Sequence, residues 1–140
     1  MMFIMFDEGE DYLNIRGWPL TVYFMLSTRY IDPSGSGTQH TETDTLAGSG
    51  HGGEITGTGY VRLSQSTPIS VSGEIDFASM TWSTGVNTDW SNNVRSLVAT
   101  TSADNSGVML CAWDVNSGAA RDMSKASTTE QVTPVYVLQA

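Results

Sequence analysis

The sequence is short of the residue types that most directly announce chemistry. Cys111 is its only cysteine, so no disulfide can form within the chain. It lies in the apolar run Val108-Met109-Leu110-Cys111-Ala112-Trp113, where it reads as a small buried hydrophobe. A catalytic thiol would need an imidazole, and both histidines, His40 and His51, sit in a polar segment with no evident link to that run. Cations are scarce too: Lys and Arg number 6 against 15 Asp and Glu, for a formal net charge of −9. Arg16, Arg29, Arg62, Arg95, Arg121 and Lys125 are scattered, whereas neutralising phosphates takes a cluster, so nucleic acid is excluded as a direct partner. Long apolar runs are missing as well. The N-terminal run Met1 to Phe6 meets Asp7-Glu8-Gly9-Glu10-Asp11 at once, too soon for a membrane span and without the basic leader of a signal peptide. Met1, Phe3, Ile4 and Phe6 read instead as an edge strand or an arm that docks on a neighbour. The chain reads as one made and folded in a cytoplasm, with no membrane partner.

What is present points to β-structure. A length of 140 residues suits one domain, residues 1–140, able to bury a core without disulfides. Hydrophobic content is 39%, charged content only 15%, and Ser and Thr make up about a quarter of the chain. Such a surface stays soluble through hydroxyls or packs against copies of itself. The acid-rich start of Asp7 to Gly17 suits a short helix, stopped by Gly17 and Pro19. Leu20 to Thr28 is rich in β-formers on both faces and predicts a central strand. A long Ser/Thr/Gly/His loop over 32–53 follows, its length marking it as functional or contact-making. Tyr60 to Ser64 predicts the next strand, and Gly73 to Trp82 a strand with Ile75, Phe77, Ser79 and Thr81 on one side. Val94 to Thr101 and Val108 to Val115 predict a hairpin, and Val132 to Gln139 a closing strand with Pro134 near its start. The expected fold is all-β: an antiparallel β-sandwich or flattened barrel of about six to eight strands, with a short N-terminal helix and a long polar loop.

The chemical constellations are weak. The carboxylates of Asp7, Glu8, Glu10 and Asp11 lack the spacing of a calcium loop and suit a helix start without any ion. His40, His51, Glu42 and Asp44 share one loop and hold the ligand types of a zinc site, yet a flexible Gly/Thr stretch separates the imidazoles, and a solvated or interface loop fits better. Glu74 and Asp76 share a strand face, whereas the paired carboxylates of glycosidases come from different elements across a cleft. Gly57-Thr58-Gly59 lacks the lysine and the helix of a phosphate cradle. Trp82 and Trp113 read as core or interface anchors, and Trp90, in a turn-rich stretch, as the best exposed contact. No metal, cofactor or enzymatic activity is expected.

The ordered set Tyr23-Phe24-Met25-Leu26-Ser27-Thr28, Asp32-Pro33, Gly53-Glu54-Ile55-Thr56-Gly57-Thr58-Gly59-Tyr60-Val61-Arg62 and Phe77 to Trp82 resembles a family of small structural proteins of tailed bacteriophages, described as tail-fibre or minor tail proteins. The likeness covers residues 20 to 115 and is clearest at 53 to 62. Beyond it, Ser117-Gly118-Ala119-Ala120 stands where a Gly-Gly pair is expected. The resemblance implies a virion component with no catalytic residues. As a capsid decoration (cement) protein it would bind the major capsid protein lattice non-covalently, as a homo-oligomer in many copies. As a minor tail or tail-fibre module it would sit among tail proteins and touch host surface glycans. The absence of a shaft repeat favours decoration. A glycan hydrolase acting through Glu74 and Asp76 is the distant alternative. Met1, Phe3, Ile4, Phe6, His40, His51 and Trp90 are the expected partner contacts.

Overall fold

The computed structural model describes residues 2–31 and 38–137. Its elements in chain order are β1 (Phe3–Met5), α1 (Asp7–Arg16), β2 (Thr21–Ser27), β3 (Leu63–Ser66), β4 (Glu74–Asp76), β5 (Met80–Ser83), β6 (Ser96–Thr100), β7 (Met109–Asp114), β8 (Thr129–Val132) and β9 (Val135–Val137). Short 3₁₀ turns lie at His51–Gly53 and Asn116–Gly118. The fold is dominated by β-structure in three sheets: five strands in the order β1-β7-β6-β2-β3, and the pairs β4-β9 and β5-β8. All the strand pairs are antiparallel.

β2, β6 and β7 form the centre because their residues are apolar on both faces, as a strand covered on both sides must be. The predicted hairpin is β6-β7, with a register shift at Ala99/Thr100 that puts Leu110 and Cys111 in the same core cluster. On one face Val22, Phe24, Leu26, Leu97, Ala99 and Trp113 pack under Ile75, Phe77, Met80 and Trp82 from β4 and β5 and the residues beside them. Phe24 and Phe77 meet edge to face at 5.1 Å. On the other face Met25, Val98 and Ala112 lie under Phe6, Ile31 and Leu46.

The predicted strand Gly73 to Trp82 is two strands with different partners. Ile75 and Phe77 point inward as expected, but so do Met80 and Trp82, while Ala78 and Ser79 are exposed. An extra residue at Ala78–Ser79 reverses the alternation, so one continuous phase does not hold. The partner chain segment breaks too: β8 ends at Val132, Pro134 follows with its carbonyl accepting from Phe77 N–H at 3.1 Å, and β9 begins. Gln65 spans the break, its amide donating to the Ala78 carbonyl at 3.0 Å and accepting from Ala78 N–H at 2.9 Å. These breaks raise the described strands to nine. The third strand is also displaced, since pairing with β2 starts at Leu63 and Tyr60 to Arg62 serve another purpose.

The helix matches its expected span. Gly17 ends it at φ 70°, its N–H returning to Leu13 O at 2.9 Å. α1 buries only Gly9, where a Cβ would stand 2.6 Å from the Met109 carbonyl oxygen. This lets the helix lie directly on the backbone of β7. Glu8 fixes it there: one carboxylate oxygen accepts from Met109 N–H at 2.6 Å and from Leu46 N–H at 2.9 Å.

Candidate functional site

The stretch Gly53 to Arg62, which carries the resemblance, runs beside the outer edge of β2. Thr28 N–H donates to Gly53 O at 3.0 Å and Ile55 N–H to Leu26 O at 3.1 Å, so residues 53–55 extend the edge where β3 has not reached. The Tyr60 hydroxyl fills the gap between them. It accepts from Leu26 N–H at 3.0 Å and donates to Glu54 Oε1 at 3.1 Å. Burial, with the Glu54 charge beside it, pushes this phenol far above its ordinary range and keeps it protonated as a donor.

Arg62 completes the arrangement. Its Nε and Nη2 fork onto Glu54 at 2.8 and 2.7 Å, Nη1 donates to the carbonyls of Ser102 (3.0 Å) and Asp104, and Nη2 reaches Asn105 Oδ1 at 2.6 Å. The five N–H groups are thereby matched by five acceptors, binding the stretch to the β6-β7 loop. Burial opposes the charge, but the Glu54 hydrogen bond and carboxylate outweigh it and raise the guanidinium's affinity for its proton. The turn at Gly57-Thr58-Gly59 is gripped from the other side. Asp89 accepts from Thr58 N–H and hydroxyl, and Trp90 Nε1 donates to Thr58 O at 2.8 Å. A Cβ on Gly57 would lie 2.6 Å from Trp90 Cγ, so only glycine admits the indole. The open cavity of about 540 Å³ in this region is lined by Glu54, Tyr60, Arg62, Asp104 and Asn105 among others. Its guanidinium has no donor left for a ligand.

A second cluster lies on the sheet face under the long loop. Ser27, Ser96 and Asp114 stand abreast on β2, β6 and β7. His40 Nε2 lies 2.8 Å from Ser96 Oγ, and Nδ1 lies 3.4 Å from Asp44 Oδ2, which pairs with Arg29 Nη1 at 2.8 Å. The order Ser, His, Asp is that of a nucleophile, a base and an orienting carboxylate. Its setting opposes that use: Ser96 has no exposed surface, its hydroxyl also donates to Arg29 O at 2.9 Å, and His40 is 2% exposed against the edge of Phe6. Burial lowers the imidazole to about 4, against the pull of Asp44, so it is neutral at ordinary pH. Burial also works against the Asp44 charge, but hydrogen bonds from Thr41 and Arg29 hold its carboxyl below the usual range. Asp114 Oδ1 is buried with no hydrogen-bond partner among the described residues.

The loop expected over 32–53 as an adjustable contact is, where described, bolted to the sheet. Asp7 N–H donates to Glu42 O at 2.8 Å, Ser27 Oγ to Gly52 O at 2.6 Å, and Leu46 is fully buried. Gly52, at φ 68°, crosses so close above the sheet that a Cβ would stand 2.9 Å from Met25 Cε and collide with Met109 Sδ. Several of the residues expected as contacts lie inside the fold. His40 and Trp90 are buried, because Ser96 and the Gly57 turn use their ring nitrogens. Phe6 is 0% exposed, and β1 pairs with β7 at the edge of the five-stranded sheet, so residues 2–6 follow the edge-strand alternative and not the free arm; Met1 lies outside the described residues. Phe3 is 42% exposed, Ile4 is half-buried, and His51 is exposed with Nδ1 2.9 Å from Leu46 O.

Cys111 is fully buried and its thiol pushed up by burial, Trp82 and Trp113 are core, and Glu74 and Asp76 are exposed on one face. No group of three metal-ligating side chains occurs among the described residues. Ser96 and Glu8 were not legible as partners, since each bonds to groups far away in sequence. Compared with models of known families, with curated proteins and with solved structures, the chain gives no match in any of the three.

Proposed function

We propose that this chain is a structural protein of a bacteriophage virion, a capsid decoration protein that binds the major capsid lattice non-covalently in many copies as a homo-oligomer. One observation carries the reading. The stretch that bears the resemblance, Gly53 to Arg62, spends its polar groups on the protein itself, Arg62 on Glu54, Ser102, Asp104 and Asn105 and Tyr60 on Leu26 and Glu54. Those residues brace a scaffold and leave no charged group aimed at a substrate. The five-stranded sheet under the β4-β9 and β5-β8 pairs reads as an open β-sandwich, a layer suited to repeated packing on a lattice.

The test is stoichiometry. Quantitative mass spectrometry of purified particles should find this chain in a fixed, high ratio to the major capsid protein. A handful of copies per particle moves the chain to the tail, and its absence from washed particles ends the virion reading.

A further inference from the structure

We propose that the slot between β1, α1 and β9 is a docking site for an extended, basic and apolar segment of another protein. The slot holds about 340 Å³ and is lined by Phe3, Met5, Leu13, Tyr136, Val137 and Glu10, among others. Its walls are two sheet edges. Phe6 N–H donates to Leu110 O at 3.2 Å and Asp114 N–H to Met2 O at 3.0 Å, which turns the polar groups of even-numbered residues toward β7. The N–H and C=O of Phe3 and Met5 therefore face outward. The pairing of Ile75 with Tyr136, and of Phe77 N–H with Pro134 O, likewise turns Val135 and Val137 away from β4; the Val135 carbonyl accepts from Trp113 Nε1 at 2.9 Å, so the open edge of β9 is centred on Val137. Among the described residues neither β1 nor β9 has a second partner strand. An extended segment satisfies such edges by adding a strand.

The apolar surface continues beyond the slot. Val71 bridges to Glu74, which pairs with Val137, and Asp76 pairs with Val135 in the next exposed row. Val71 is 68% and Val137 59% exposed, and their common neighbour Glu74 makes them one patch rather than two lone surface valines. Every charge set among these side chains is negative: Glu10 in the slot, Glu74 and Asp76 on the outer row. None of the three has an ion-pair partner among the described residues. A self-complementary contact between two copies would press these carboxylates on their own images, with only 6 cations in the whole chain to answer them. Charge complementarity selects a partner strand that alternates aliphatic side chains with Lys or Arg. The inference is independent of the virion reading, because it concerns the isolated protein in solution.

The probe is a short, end-capped peptide of alternating Val and Lys, with a Val and Glu peptide as control, titrated against the whole protein while Trp fluorescence and backbone amide shifts are followed. The Val/Lys peptide should bind about tenfold or more tightly than the control, less tightly as salt rises, with the shifts centred on residues 3–5 and 135–137. Glu10→Lys and Val137→Asp, both at exposed positions, should each weaken it by about tenfold while circular dichroism stays unchanged. Equal binding of both peptides, binding of neither, or binding indifferent to both substitutions overturns the proposal. So does a concentration-dependent dimer in sedimentation that Val137→Asp dissolves, which would assign the slot to a second copy.

Discussion

On one face of the five-stranded sheet, Phe24, Leu97 and Trp113 meet Ile75, Phe77 and Met80, and the indoles of that core donate to backbone carbonyls rather than to titratable side chains. Trp113 Nε1, for instance, donates to Val135 O at 2.9 Å. On the opposite face, Met25, Val98 and Ala112 form a smaller apolar patch that gives way to Ser27, Ser96 and Asp114. There the cover is a loop, and what holds it is a set of directed bonds through His40, Glu8 and Gly52. The first face is closed by area, which is tolerant of pH and indifferent to exact partners. The second is closed by hydrogen bonds whose donors and acceptors must all be present in one protonation state, because an unmatched buried group costs more than a matched one contributes.

Three measurements break or sharpen that contrast. Trp113→Ala, on the apolar face, should cost about 4 kcal/mol of unfolding free energy. The cost should be the same at neutral and mildly acidic pH, and a strongly pH-dependent loss would mean the faces are not separate. On the polar face, acid itself is the perturbation. His40 is held at about 4 in the folded chain against 6.5 for the free imidazole. A depressed histidine means that the unfolded chain binds the proton more tightly, so stability is complete above about pH 6.5 and falls as pH drops toward 4. The loss should approach about 3 kcal/mol, the free-energy equivalent of that difference. Urea midpoints across this window should show the slope, and His40→Gln should flatten it; an unchanged slope would remove His40 as its source. Below that window the depressed Asp44 carboxyl continues the loss in the same direction. The smallest effect is expected at Glu8. Glu8→Ala strands Leu46 and Met109 N–H and should cost about 2 kcal/mol, whereas Glu8→Gln keeps an acceptor and should cost less than about 1 kcal/mol. Faster amide exchange at Leu46 in Glu8→Ala would show the loop loosening; equal costs for Ala and Gln would deny the clamp.

How much could be read beforehand follows the same division. The helix from Asp7, the strand across Thr21–Ser27 and the β6-β7 hairpin were legible, because capping, β-propensity and apolar runs are local signals. The burial of Cys111, Trp82 and Trp113 was legible for the same reason. Trp90 was misplaced because its turn-rich, polar neighbours suggest exposure, and only the approach of Gly57 encloses it. The phase reversal at Ala78–Ser79 was not legible, since one inserted residue leaves a sequence that still alternates on either side. The sequence shows the chemistry of His40 but places it in a solvated or interface loop. Its partner Ser96 lies 56 residues away, and no periodicity connects them.

The sequence by itself determined that this is a β-dominated, acidic chain without a disulfide, because composition and short-range pattern decide which segments become strands. It also marked Gly53 to Arg62 as distinctive. Only the tertiary structure decided what that stretch does, that the polar loop is a bolted cover, and that the N-terminal run is an edge strand beside an acidic slot. Those outcomes depend on groups brought together across tens of residues, and a hydrogen bond or an exposed edge exists only once the chain has closed on itself.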